Sequence, residues 1–162
     1  SELRLRAITD NMPALITYID REEKITFANA TSREWLGLDP AQVLGRHVQE
    51  VSGREVYVSR QPMLARALAG ERVEFEARMQ RAGSERITQV IYVPDVRADG
   101  VTHGIFSLAL DITALKVVEH KLIELARLGP QLPLRLQPQG SQGPWRRRHA
   151  GRRARQGPRA HH

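Results

Sequence analysis

Short apolar runs of changing period organise most of the chain. Ala14 to Asp20 (Leu15, Ile16, Tyr18, Ile19) and Lys24 to Asn29 (Ile25, Phe27) are β-branched and aromatic runs, joined by the polar Asp20-Arg21-Glu22-Glu23. This predicts an antiparallel strand pair with a hairpin-like connection. Leu3, Leu5, Ala7 and Ile8 stand among charges just before it, a short amphipathic helix that stops ahead of Pro13 because the residue preceding proline is pushed out of the α region. The pattern then turns helical. Thr31-x-x-Glu34 and Ser52-x-x-Glu55 have capping-box spacing, and Asp39-Pro40 puts an N-cap before a proline suited to a first helical turn. Val56, Met63, Leu64, Ala67 and Leu68 form a stripe ending at Gly70, with Pro62 predicted to bend or split that helix.

From residue 72 the period becomes two. Val73, Phe75, Ala77 and Met79 alternate with Glu74, Glu76, Arg78 and Gln80, a half-buried strand. Gly83-Ser84 supplies a turn, Arg86 to Val93 a strand, Asp99-Gly100 a second turn, and Val101 to Leu110 the last strand. On that strand Phe106, Leu108 and Leu110 lie on one side and the small Ser107 and Ala109 on the other. A final helix follows with Thr113 as its expected N-cap. Its Leu115, Val118, Leu122 and Leu125 fall at coiled-coil spacing, flanked by Lys116, Glu119, Lys121 and Glu124. Two heptads are too short to be stable alone, so the seam must pair, in parallel with a second copy by preference, or else on its own domain.

Charge divides the 162 residues. Eight of the 25 Lys and Arg stand after residue 128 with none of the 18 acids, so the first 128 residues carry −1 and the remainder +8. The basic character therefore belongs to a tail and not to the body, whose size suits one domain. Cysteine is absent, which excludes disulfides, thiolate catalysis, Cys-ligated metals and photochemistry through a cysteinyl adduct. No nucleophile elbow, phosphate-cradling loop or metal-binding helix motif occurs, which argues against an enzyme. The six His residues are scattered, and only His161-His162 are adjacent, so no metal site is expected. Apolar runs are far shorter than the ~18 to 20 residues that span a bilayer. A soluble, cytoplasmic protein is expected, and the first residue, Ser1, suggests a fragment.

The order helix, two strands, short helices, three strands, helix resembles a PAS sensor domain over residues 3 to 128. The resemblance is carried by Asn11-Met12-Pro13-Ala14, Phe27-Ala28-Asn29-Ala30, Trp35-Leu36-Gly37, Val43-Leu44-Gly45-Arg46-His47, Ala67-Leu68-Ala69-Gly70-Glu71, Tyr92-Val93-Pro94 and the closing Asp111-Ile112-Thr113. It implies an α+β fold: a five-stranded antiparallel sheet with helices on one face, enclosing a small cavity. The expected organisation is an N-terminal helix over 1–12, the PAS domain over 13–113, a signalling coiled-coil helix over 114–128 and a basic disordered tail over 129–162.

The resemblance implies a sensory role in a bacterial signalling protein, with a small-molecule ligand or a partner as input. Candidate cavity residues are Phe27, Asn29, Trp35, His47, Tyr57, Phe75, Tyr92 and Phe106, although each aromatic serves equally as plain core. For Asn29 a structural role at the strand-to-helix corner is favoured over ligand contact, and for His47 the ordering of its loop. Similar heme-binding domains use a histidine on the long central helix; residues 54 to 69 contain none, which argues against heme. Asp111 and Thr113 are the expected relay from sheet to output helix, and Leu115, Val118, Leu122 and Leu125 the expected dimer helix.

Residues 122 to 128 resemble the linker entering a diguanylate cyclase domain and, less closely, a histidine kinase helix, so an effector domain is expected beyond this chain. The Arg-, Pro-, Gly- and Gln-rich string from Gly129 cannot bury enough surface to fold. Out-of-frame reading of GC-rich DNA would produce such a string. Its Arg146-Arg147-Arg148 and Arg152-Arg153 carry the alternative function, nucleic-acid binding with the body as scaffold, for which no folded reader is evident.

Overall fold

The computed structural model describes residues 2–81 and 83–129. Helix α1 (Glu2–Thr9) leads into β1 (Ala14–Asp20) and β2 (Ile25–Ala28); four helices follow, α2 (Thr31–Leu36), α3 (Pro40–Val43), α4 (Val48–Ser52) and α5 (Arg54–Leu68). Strands β3 (Val73–Arg81), β4 (Ser84–Val96) and β5 (Thr102–Asp111) complete the sheet, and α6 (Thr113–Leu128) closes the described chain. The chain divides into two units, the first ending at Val118 and the second beginning at Glu119. The expectations for the basic tail, its disorder, its origin and its nucleic-acid binding, fall on residues that lie, from 130 on, outside the described ones.

The five strands are antiparallel in the order β2-β1-β5-β4-β3. Period-two alternation gives each strand one face turned to the core and one turned away. The core joins Ile19, Ile25, Val73, Val90, Tyr92 and Ile105 of the sheet to Val43, Leu64 and Ala67 of the helices, all buried. Burial of an aliphatic side chain such as Leu64 is worth roughly 2 kcal/mol.

On β5 the small residues, not the large ones, face this core. Ile105 is fully buried and neighbours Ser107 and Ala109 on its face, while Phe106 is 41% exposed on the opposite one. The outer face also carries Tyr18 and Phe27, which oppose each other across β1 and β2, with Phe106 opposite Tyr18 on the other side.

Several local expectations need correction. Neither predicted capping box forms. Helix α2 follows Ala30, and Thr31 Oγ1 instead donates to the Met12 carbonyl at 3.3 Å. Helix α5 follows Gly53 at φ +86°, while Ser52 Oγ donates back to Val48 at 2.7 Å. Nearby tertiary and i−4 carbonyls compete successfully for these hydroxyls. The Asp39 cap does form, with Gln42 returning the capping-box bond to Asp39 N at 2.8 Å and Pro40 at the first position. Pro62 does not split α5, which runs unbroken through it on its exposed side. Strand β4 extends past Val93 through Pro94, where an irregularity in the pairing with β5 accommodates the missing donor.

Candidate functional site

Between the inner face of the sheet and helices α2, α4 and α5 lies a cavity of about 100 Å³. Its floor is Leu15, Thr17 and Ile19 of β1 with Ser107 and Ala109 of β5. The two small β5 side chains in the middle of the sheet leave the space that Leu64 above them does not fill. Leu36, Val48 and Val51 add apolar walls, and Tyr57, Arg60 and Tyr92 supply polar groups. The site is therefore an apolar pocket with a few convergent polar atoms, the usual form of a small-molecule site.

Tyr57 and Arg60 are three residues apart on α5 and so share one helix face. The Tyr57 hydroxyl donates to Glu23 Oε2, and this carboxylate pushes the phenol pKa upward. Glu23 Oε2 also lies 3.2 Å from His47 Nε2. His47 Nδ1 accepts the Gln49 amide at 3.1 Å and so caps α4, which leaves the ring proton on Nε2, facing Glu23. Tyr92 is buried, and burial raises its phenol pKa while the nearby Arg60 guanidinium opposes the rise.

The predicted site residues separate into five places. Tyr57 and Tyr92 line the cavity. Phe75 stands behind Tyr92 at 5.3 Å between ring centroids, and His47 packs against Tyr57 at the same distance; neither lines the cavity. Asn29 is fully buried at the end of β2, where Oδ1 accepts the Ile16 amide at 3.0 Å and Nδ2 donates to the carbonyls of Thr9 and Ala14 at 2.7 and 2.8 Å. Trp35 is buried beneath the Arg81 guanidinium, 5.2 Å from its ring. Phe27 and Phe106 are not cavity residues at all. Phe27 lies under Arg6 and Phe106 packs edge-on against Tyr18 at 4.9 Å, both on the outer face: Phe106 alternates with the core-facing Ile105, and an irregularity in the β1–β2 pairing at Thr26 turns Phe27 away from the face of Ile25.

Arg60, Ser107 and Ala109 escaped sequence reasoning. Arg60 was detectable by its spacing from Tyr57. The small pair was visible opposite Phe106, but nothing local says which face of a strand meets the helices.

At the end of β5 the junction has its own geometry. Thr113 does not cap α6 with its side chain; its Oγ1 accepts the Ile87 amide at 2.9 Å and donates to Asp111 Oδ1 at 2.6 Å. Asp111 Oδ1 takes the Thr113 amide at 3.0 Å, so the capping group is Asp111. Its Oδ2 meets Arg86 Nε at 2.9 Å and Arg81 at 3.8 Å. Burial works against the Asp111 charge, but the bonds from Thr113 and Arg86 outweigh it and hold the carboxyl at about 2. Arg81 also reaches Glu34 at 3.4 Å, linking the junction to α2.

Residues 9–117 match the family model described as the PAS fold. The chain belongs to the PAS family. PAS domains are sensory modules of signal transduction, and the five-stranded sheet with its helices is theirs. The PAS domain of Bordetella pertussis BvgS shares 23% identity and a TM-score of 0.59, over 78% of this chain and 97% of that one. The PAS domain of an HTR-like protein from Haloarcula marismortui shares 26% and 0.52, over 68% and 91%. The Vibrio cholerae VqmA dimer shares 16% and 0.59, over 70% of this chain and 52% of that one. No curated protein matches the sequence. Among the described residues no helix is long and apolar enough to cross a membrane, and no group of three His, Cys, Asp or Glu could hold a metal ion.

Proposed function

We propose that this PAS domain binds a small molecule in the cavity under α5 and passes its occupancy through Asp111 and Thr113 to α6. The observation that carries this reading is the cavity itself. It persists because small side chains sit in the middle of an otherwise packed core, and it holds the polar groups of Tyr57, Arg60 and Tyr92. Strand β4 contributes Tyr92 to the wall and the Ile87 amide to the start of α6, so a shift of that strand moves both. In this reading α6 pairs with a second copy through Leu115, Val118, Leu122 and Leu125, and the domain acts by binding and not by catalysis. Its output is a cyclase or kinase domain in the cytoplasm of a bacterium. VqmA, a structural neighbour, is a dimer, which supports the pairing.

Native mass spectrometry of the protein purified from its source tests the reading. A retained small molecule that is lost in Ala109→Leu, where the added side chain fills the cavity, is the expected result. A bare protein whose thermal stability no small molecule raises would overturn it.

A further inference from the structure

We propose that the cavity's ligand is a small monocarboxylic acid, its apolar body in the cavity and its carboxylate on the Arg60 guanidinium and the Tyr92 hydroxyl. This rests on the ligand-binding reading above and names the chemical class.

Arg60 is the only guanidinium in the cavity wall among the described residues. Arg60 is half-buried and has no ion pair among the described residues; Arg6, also half-buried without one, stands over Phe27 and away from the cavity. Arg60 is held instead against the Phe75 ring, 5.9 Å from the centroid, with its charge acting on the Tyr92 hydroxyl. A cation in a mostly apolar wall is stabilised by an anion there, and a guanidinium presents the planar fork that a carboxylate matches with two hydrogen bonds.

The charges around it leave that place open. Glu23 is an acid whose charge acts on the Tyr92 hydroxyl, and its Oε2 already takes the Tyr57 hydroxyl and faces the His47 Nε2 proton. It does not line the cavity. The rest of the wall limits the acid to one carboxylate. Beside Arg60 and Tyr92 the wall has hydroxyls, of Thr17, Ser52, Tyr57 and Ser107, and apolar side chains but no second cation among the described residues, so a second carboxylate would be buried without a counter-charge, which costs more than the first gains. Size sets the other limit. About 100 Å³ is smaller than the ~150 Å³ apolar cavity that takes benzene, so the acid's apolar body is smaller than a benzene ring and the acid is of propanoate to butanoate size.

Calorimetric titration of the full chain at constant ionic strength, with propanoate, butanoate, succinate, propanamide, butanamide and butane, tests the class. The acids should bind at least about tenfold tighter than their amides, and succinate should not bind. Arg60→Gln should weaken the acids by about ten- to a hundredfold, leaving the amides within a few-fold. Tyr92→Phe, which keeps the ring, should cost the acids several-fold and so checks the contact without touching Arg60. Amides that bind as well as acids, or acids unaffected by Arg60→Gln, would overturn the assignment. Butane binding without acid binding would overturn it too, leaving the cavity reading intact. If none of the six binds, the carboxylate assignment falls, and the cavity reading is decided separately by the retained-molecule test above.

Discussion

The Ile87 amide of β4 donates to Thr113 Oγ1, the first side chain of α6, at 2.9 Å. The same hydroxyl gives its proton to Asp111. One side chain thus ties the beginning of the helix to a strand of the cavity wall. Thr113→Val keeps the shape and removes the acceptor, leaving the Ile87 amide unpaired in a partly buried place. The expected cost is about 1–2 kcal/mol in urea unfolding, with faster amide exchange at Ile87 and at residues 116 and 117. Unchanged exchange at those amides would remove Thr113 from the junction.

Asp111 makes this junction pH-dependent. Its carboxyl is held at about 2 against an ordinary value of 3.8. A lowered folded-state pKa contributes stability above the unfolded value that is lost as pH falls through the folded one. The window is therefore from about pH 4 down to about pH 2. A shift of this size on a mostly buried group corresponds to roughly 2 kcal/mol. Asp111→Asn should abolish that part of the acid dependence in urea titrations and lower stability at pH 7 by a similar amount. An acid limb identical to the parent's would show that other carboxylates carry it.

The sheet was legible because its strands alternate cleanly. Val73 to Met79 and Leu15 to Ile19 each announce a half-buried strand, and the residues that punctuate them, Asp39-Pro40 and Gly70 among them, stop or start elements where expected. The site was legible only in part. Tyr57 and Tyr92 were identifiable as large amphipathic side chains on core-facing stripes. Phe106 was not separable from them, because alternation fixes two faces of a strand without saying which one meets the helices, and Phe27 was hidden by the irregularity at Thr26 that breaks its parity with Ile25. The capping boxes at Thr31 and Ser52 failed for a related reason. A hydroxyl bonds the best carbonyl it can reach, and at Thr31 that carbonyl belongs to Met12, nineteen residues away in sequence.

Asn29 is the strongest single test of the corner between β2 and α2. It is fully buried, and all its side-chain bonds go to backbone atoms of α1 and β1. Asn29→Ala strands one amide and two carbonyls, at an expected cost of about 2–4 kcal/mol by urea unfolding. Asn29→Asp should be at least as damaging, because it sets an acceptor against the Thr9 and Ala14 carbonyls. A cost below about 1 kcal/mol for both would mean that water replaces the side chain.

Gly104 makes a close approach that no turn signal announces. A Cβ built there would stand 2.5 Å from Tyr18 Oη and 2.6 Å from the Ile19 carbonyl. The Tyr18 hydroxyl donates to Asp95 Oδ2 at 2.7 Å; burial first, and then that carboxylate, push the phenol up to about 12. Gly104→Ala should displace the ring, cost about 1–3 kcal/mol, and return the phenol toward 10 in ultraviolet titration. For the parent protein the raised value means that this contribution to stability is whole below pH 10 and is lost as pH rises toward 12. An Ala variant whose tyrosine titrates as before would show that the strand, and not Tyr18, gives way.

The seam of α6 makes the pairing testable without any ligand. Leu115, Val118, Leu122 and Leu125 are 61, 55, 62 and 44% exposed, an apolar line at heptad spacing. Isolated helices of this length are marginal in water, so a paired seam must be held partly by the domain that precedes it. Sedimentation velocity of the chain should show a concentration-dependent dimer. Leu122→Glu places a charge in the middle of the seam and should weaken the dimer by about a hundredfold or more, leaving the unfolding midpoint of the sheet unchanged. Glu119→Lys, on the flank of the helix, should shift the dimerisation constant only by a few-fold and make it salt-dependent. A parent chain that stays monomeric at millimolar concentration would remove the dimer, and rotation of a helix pair could then no longer be the output of the domain.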